Sequence, residues 1–354
     1  MKSKNIDLCF DMYGCPNDCL HCWLKNGESK KLDIETVEKY IEEFRSLTEE
    51  VGVYTWYLEP DFHKDYKELW KIENELSSKS HAHFELMSDW RIVRDEEYVK
   101  WAYDIGIRKC QLTFFGMEEL TNKFTGRKNA FNELIKSIDI LIENKITPRI
   151  QLFAYHMNIE ELIEFESFIK GLCIEERCQE VGIPFELFIH TGSCIGRAQE
   201  LYEEWLLESD LRLIPDYFIE HTKKHYNTNE ISDVFGDTEK KHYLNIVESN
   251  AIDPVSVDKV ILYIDGNLDV YPHFAVHKPW WLLGNLRECS AETILNKYLD
   301  GLTFGQRIAN ETHISEMVRL CGNSDSEKMF HYEDYLEYIR EKYLKHRWNN
   351  DVQG

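Results

Sequence analysis

Over its first two-thirds the chain alternates short apolar runs with amphipathic helical stripes, and this alternation restricts the fold more than any bulk property does. Runs at 6–10, 51–58, 82–87, 109–114, 149–153 and 184–189 read as strands. Between them lie stripes of period 3.6. The first carries Ile34, Val37, Tyr40, Ile41, Phe44 and Leu47, with Asp33 as its N-cap. Others cover 66–76, 95–103 and 131–141, and a later one, Leu162, Phe165, Ile169 and Leu172, follows Asn158 and Glu161 in a capping-box pattern. Six such alternations predict an α/β fold of parallel βα units, either a doubly wound sheet or an incomplete barrel. In both, chemistry gathers at the carboxyl ends of the strands.

After about Leu213 the rhythm changes. Residues 223–250 are polar and read as a connector. Runs at 257–263 and 268–271 flank the turn signal Asp265-Gly266-Asn267 and predict a β-hairpin. A short helix is expected at 291–299, and a last one carries Tyr335, Leu336, Ile339 and Tyr343. The expected division is a core at 1–213 and a smaller α+β region at 214–354.

Charge and cysteine content narrow the partners. The chain of 354 residues has 41 basic and 64 acidic side chains, a net charge of −23. Such a chain repels phosphate backbones, so no nucleic-acid partner is expected, and the balance favours a cationic substrate. No apolar run reaches the roughly 18 residues of a membrane span, and the start, MKSKNIDLCF, lacks the apolar segment of a secretory signal. A cytoplasmic protein with no membrane partner is the expectation. Ten cysteines are too few for a disulfide scaffold. In a reducing compartment, grouped cysteines are metal ligands or catalytic thiols.

Three of the ten are grouped. Gly14-Cys15-Pro16-Asn17-Asp18-Cys19-Leu20-His21-Cys22-Trp23 spaces them C-x3-C-x2-C on the loop after the first strand. Thiolates are soft donors suited to iron–sulfur clusters or zinc. Three of them leave one coordination position open. A zinc knuckle closed by Cys9 or His21 is the alternative, but zinc sites pair two such hairpins or end in spaced histidines, and no second hairpin lies nearby. Cys9 sits within a strand and reads as a packed residue, and Cys110, Cys173 and Cys178 read as structural or surface thiols.

This loop resembles the signature of the radical SAM enzymes, a C-x3-C-x2-C motif after the first strand of a partial (βα)6 TIM-like barrel. The resemblance implies that Cys15, Cys19 and Cys22 hold a [4Fe–4S] cluster whose fourth iron binds S-adenosylmethionine. Reductive cleavage would then yield a 5′-deoxyadenosyl radical that abstracts hydrogen from a substrate C–H bond, with a reductant such as flavodoxin or ferredoxin. Tyr57-Leu58-Glu59-Pro60 is similar to the family's Gly-Gly-Glu-Pro without its glycines, which places Glu59 at the cofactor. Ser88-Asp89-Trp90 takes the place of Thr-Asn-Gly, so Ser88 and Asp89 either serve the ribose or form a polar turn. Gln111-Leu112-Thr113-Phe114-Phe115-Gly116 and Thr125-Gly126-Arg127 resemble later motifs and bring in Thr113 and Arg127, while Gln151 is a further polar contact. Cys194-Ile195-Gly196-Arg197-Ala198 resembles a Gly-Arg-Ala stretch of members with a C-terminal extension, and Arg197 there reads equally as a surface ion pair. The likeness covers roughly residues 5–205.

Beyond it, Tyr271-Pro272-His273 through Gly284 to Cys289 resembles the start of SPASM/twitch extensions, with His273 in place of the first cysteine. Either His273, Cys289 and Cys321 with a further ligand hold an auxiliary cluster, or the extension keeps its shape without the metal. A cluster needs about four ligands, and three scattered candidates favour the second. Trp280 and Trp281 read as core packing, with a substrate wall as the alternative. The resemblance implies peptide modification or oxidation of an aminocyclitol, as in members with such extensions. The chain starts almost at its first strand, which leaves no room for an N-terminal peptide-recognition domain and weakens the peptide case. The rival class is a non-catalytic zinc- or Fe–S-binding interaction protein on a degenerate barrel.

Overall fold

The protein is described by a computed structural model over residues 3–11, 15–22, 32–54, 62–78, 87–273 and 276–351. β1 (Ser3–Phe10) and β2 (Thr48–Tyr54) pair in parallel through Ile6↔Val51 and Leu8↔Val53. Between them runs α1 (Ile34–Arg45), which begins where Asp33 Oδ1 accepts the Thr36 N–H at 2.8 Å. Its expected stripe is the buried one, with Val37, Tyr40, Ile41 and Phe44 against the sheet. α2 (Tyr66–Leu76) and α3 (Glu96–Asp104) follow as the periodicity predicts. Residues 55–61 and 79–86 lie outside the described residues, and with them Glu59 and most of the run expected at 82–87.

A second parallel sheet runs in the order β3 (Lys109–Phe114), β4 (Thr147–Phe153), β5 (Glu186–His190). Between them come α4 (Glu118–Thr125), α5 (Ala130–Glu143) and α6 (Leu162–Gly171). Successive strand side chains face opposite sides of a sheet. Cys110, Leu112 and Phe114 therefore join Ile150, Leu152, Leu187 and Ile189 in the core that receives these helices. The other parity, Gln111, Thr113, Gln151, Phe153 and His190, is left for the opposite face.

Asn158 does not cap α6 as expected. Residues His156–Glu161 form a 3-10 turn, and α6 starts only at Leu162. The fully buried Asn158 accepts the Tyr155 N–H at 2.8 Å and donates to the carbonyls of Phe115 and Phe153, each at 2.8 Å. It joins the ends of β3 and β4. Glu161 accepts the Met117 N–H at 2.9 Å instead of serving its own helix.

The C-terminal third is built onto the first sheet. β6 (Val260–Ile264) pairs in parallel with the free side of β1, through Ile6↔Val260 and Phe10↔Ile264. β7 (Asp269–Pro272) closes the expected hairpin antiparallel to it, so the sheet continues past β1 into this region. The stretch read as a polar connector is partly helical: the last turn of α7 (Asp216–Tyr226) and all of α8 (Glu239–Ile246) lie in it. Their polar residues are structural. Glu239 is fully buried and accepts from Tyr202 Oη at 2.5 Å and Asn323 N–H at 3.1 Å, while His242 bonds the Phe330 carbonyl at 2.8 Å.

α9 (Ala291–Leu299) and the long α10 (Tyr332–Asp351) complete the chain. α10 is held by the two tryptophans, whose indole N–H groups donate to Glu341, Trp280 at 3.1 Å and Trp281 at 2.6 Å. Among the described residues, no helix is long and apolar enough to cross a membrane.

Two measurements test this framework. Asn158→Ala strands one N–H and two carbonyls in a dry interior, and a loss of about 2–4 kcal/mol is expected by denaturant unfolding. Burial pushes the Glu341 carboxyl up to about 7 against its two indole donors. A raised carboxyl pKa means that the folded state holds the proton more tightly. Its contribution is complete below the ordinary value of 4.5 and is lost as pH rises toward 7. That change is of order 3 kcal/mol. Glu341→Gln should therefore flatten the fall in stability between pH 5 and 8; an unchanged slope would contradict the assignment.

Candidate active site

The inward face of the second sheet, the cysteine loop and the start of α10 enclose one cavity of about 770 Å³. Such a volume lies toward the large end for small-molecule sites. Cys15, Cys19 and Cys22 all line it, half-buried. These three differ from the packed thiols Cys9 and Cys178, which burial pushes up to about 12 and about 11.

The loop has no regular structure of its own, and its backbone is held from outside. The N–H groups of Asp18 and Leu20 donate to the last carbonyls of α4, Thr125 and Phe124, each at 2.9 Å. Two helix-end acceptors that would otherwise need water are thereby used. Gly126 ends α4 in the left-handed region at φ +71°, where a Cβ would lie 2.9 Å from the Asp18 Cβ. Only glycine meets both demands.

From the other side Arg197 forms an ion pair with Asp18 and donates to the Asp18 carbonyl at 2.9 Å, and its own N–H reaches the Cys22 carbonyl at 3.1 Å. The Gly-Arg-Ala stretch thus clamps the cysteine loop. Its arginine is an ion pair, as one reading had it, but with the loop that carries the thiols.

Along the cavity wall Thr113 Oγ1 donates to Gln151 Oε1 at 2.9 Å, and Gln151 Nε2 meets His190 Nε2 at 2.6 Å. An amide nitrogen only donates, so His190 accepts there and is neutral. Burial, with His331 and His21 adding to it, lowers its pKa to about 3. Asp89 lines the cavity in an ion pair with Arg127, which also holds Glu133; Arg94 holds Glu133 from its other oxygen. Burial pushes the Asp89 carboxyl up against the pull of Arg127. Ser88, expected beside it at the ribose, is fully buried and not on the cavity wall.

An aromatic wall completes this end: Phe124, Phe115 and Phe153 stack at centroid distances of 4.4 and 5.4 Å, each pair 7° from parallel. His21 lies 4.8 Å from both Phe115 and Phe153, and burial lowers its pKa to about 4.

The remaining expected residues are dispersed. His273 reaches the same cavity, but Cys289 packs on the apolar cluster around Leu268 and Leu283, and Cys321 on a different one with Tyr335 and Tyr338. Trp280 and Trp281 are buried under α10 and do not line the cavity. His190, the aromatic wall, Asp334 and Glu337 were not singled out from sequence. Strand parity was the available signal for the first two, since His190 and Phe153 share the inward face with Gln151.

Among the described residues, no group of three or more His, Cys, Asp or Glu side chains is gathered for a single metal ion. A cubane's thiolates bind separate irons and need not converge on one point, so a soft triad on a cavity wall fits a cluster better than zinc.

Parallel βα units with a cysteine loop and polar strand ends on one cavity define a cofactor enzyme of the TIM-like α/β type. Residues 10–170 match the radical SAM superfamily, whose members are enzymes that use a [4Fe–4S] cluster and S-adenosylmethionine and need a reductant and a substrate. Solved structures of similar fold include native anSMEcpe with bound AdoMet and Cp18Cys peptide, 14% identical, covering 98% of this chain and 99% of that one at a TM-score of 0.52. The same protein with AdoMet is 15% identical, with 98% and 99% coverage and a TM-score of 0.53. Among curated proteins, Fe-coproporphyrin III synthase of Methanosarcina barkeri (strain Fusaro / DSM 804) is 22% identical over 216 residues, 59% of this chain and 49% of that one. The chain thus spans about half the length of that relative.

Arg197→Ala should loosen the loop while leaving the barrel folded. Amide exchange at Asp18 and Leu20 is expected to rise about tenfold or more, as loss of charge-assisted bonds implies, with exchange in β3–β5 unchanged. Equal protection in both proteins would show that α4 alone holds the loop.

Proposed function

We propose that this chain is a radical SAM enzyme in which Cys15, Cys19 and Cys22 hold a [4Fe–4S] cluster. Asp89, Thr113, Arg127 and Gln151 would face S-adenosylmethionine in the adjoining cavity, and the sequence likeness adds Glu59. The observation that carries this reading is the shared cavity: thiols from the loop after β1 and polar side chains from the ends of β3 and β4 meet in it. Bound there, cluster and cofactor supply one-electron reductive cleavage and hydrogen abstraction from a substrate C–H bond.

The protein's own residues position and shield. The stacked phenylalanines and His21 form a dry wall that limits the access of water. Neutral His190 and Gln151 offer a fixed hydrogen-bond line, and the Asp89–Arg127–Glu133 network keeps charges on the wall paired. A reductant such as flavodoxin or ferredoxin would supply the electron.

For substrate, a solved structure of similar fold holds a peptide, and the curated relative is named for a porphyrin. The acidic part of the wall, with Asp334 and Glu337, favours a peptide or small molecule that carries positive charge over an anionic one. Hydrogen abstraction would lead to peptide modification or to small-molecule oxidation or epimerisation.

Anaerobic reconstitution tests the proposal. Wild type should bind about four irons, absorb near 400 nm and, with dithionite and S-adenosylmethionine, release 5′-deoxyadenosine. The Cys15/Cys19/Cys22 triple alanine variant should lose all three properties. An intact cluster with no 5′-deoxyadenosine above a Cys19→Ala control would favour the non-catalytic class.

A further inference from the structure

The start of α10 brings two carboxylates into the cavity that the chemistry above does not use. Asp334 and Glu337 line it three residues apart on one helical face. Asp334 accepts from Ser193 Oγ at 2.6 Å, which ties α10 to the loop after β5. Glu337 has neither a hydrogen bond nor an ion pair among the described residues. The nearby Arg340 pairs with Asp253 instead. Among the described residues of the cavity wall, Arg127 is the one arginine or lysine, and it is committed to Asp89 and Glu133.

Arg340 pulls on Glu337 and His331 on Asp334 without an ion pair to either, and a half-buried carboxylate beside a second one is costly unless a cation answers it. Both groups register that cost. Burial and their mutual repulsion lift Glu337 to about 7, and burial lifts Asp334. A second observation points to a ligand in the same space: the buried Nδ1 of His21, a residue that also lines the cavity, has no hydrogen-bond partner among the described residues.

We propose that Asp334 and Glu337 form the subsite that receives an ammonium or guanidinium group of the substrate, with the reacting C–H bond directed back toward the cysteine loop. The proposal rests on the reading of this cavity as the substrate site. It turns the general preference for a cation into two named residues. It also gives α10 a role beyond packing, because its outer turns are fastened through Glu341 while its first turns face substrate.

The probes are n-butylammonium, n-butylguanidinium and neutral 1-butanol, titrated by ligand-detected NMR into the full-length reconstituted protein with S-adenosylmethionine at pH 8. Wild type should bind at least one cation about tenfold or more tighter than butanol. Glu337→Gln should bring that preference to within about twofold, and Asp334→Asn should weaken it; the second variant serves if the first does not fold. No cation preference in wild type, or one unchanged in both variants, overturns the subsite. 5′-Deoxyadenosine formation is measured separately on wild type. Its presence without cation preference overturns the subsite alone, whereas its absence alongside a clear preference overturns the radical function and leaves the cation site standing.

Discussion

The site depends on how an irregular loop is held still. Eight residues carry the three thiols, and none of their backbone groups is satisfied by a helix or a strand of their own. Their order comes from two neighbours of opposite kind. The C-terminal end of α4 offers carbonyls to the N–H groups of Asp18 and Leu20, and Arg197 offers a charged group to the same loop's carbonyls and to Asp18. Each supplies what the other lacks, donors to acceptors and acceptors to donors. Gly126 makes the approach sterically possible. Remote stretches of sequence, around 126 and around 197, thus fix the geometry of residues 15–22.

The same economy governs the far wall. β6 extends the first sheet on the free side of β1, so the C-terminal region inherits the position of the strand that precedes the cysteine loop. The two tryptophans between β7 and α9 then place a pair of indole donors under α10. Glu341 answers both, and the helix is seated with its first turns over the cavity. A buried carboxyl between two indoles contributes less to stability than an apolar contact of equal size would, but it sets the helix in one register.

The βα alternation was legible because apolar period and strand parity are local properties. α1 and its Asp33 cap, α2 and the hairpin turn lie where the pattern predicts. The cysteine spacing was legible for the same reason. Asn158 was misread because a side chain that joins two strand ends resembles, in sequence, one that opens a helix. The segment at 223–250 was misread because its polar residues are answered by partners far along the chain, such as Asn323 for Glu239 and Phe330 for His242. Arg197 was left ambiguous for a related reason. Its partner is about 180 residues away, and nothing in Gly-Arg-Ala itself names it.

What separates the functional from the structural polar groups is the source of their compensation. Asp89 is deeply buried but has Arg127, and Glu239 is deeply buried but has Tyr202 and a backbone N–H. His190 is kept neutral and accepts from Gln151. Each of these is complete within the protein. Glu337 and the His21 ring are not, and both line the cavity that the thiols line. On the wall of that cavity a bound molecule can reach them. The absence of an internal partner at Glu337 is therefore better read as a property of the site than as a defect in the packing of α10.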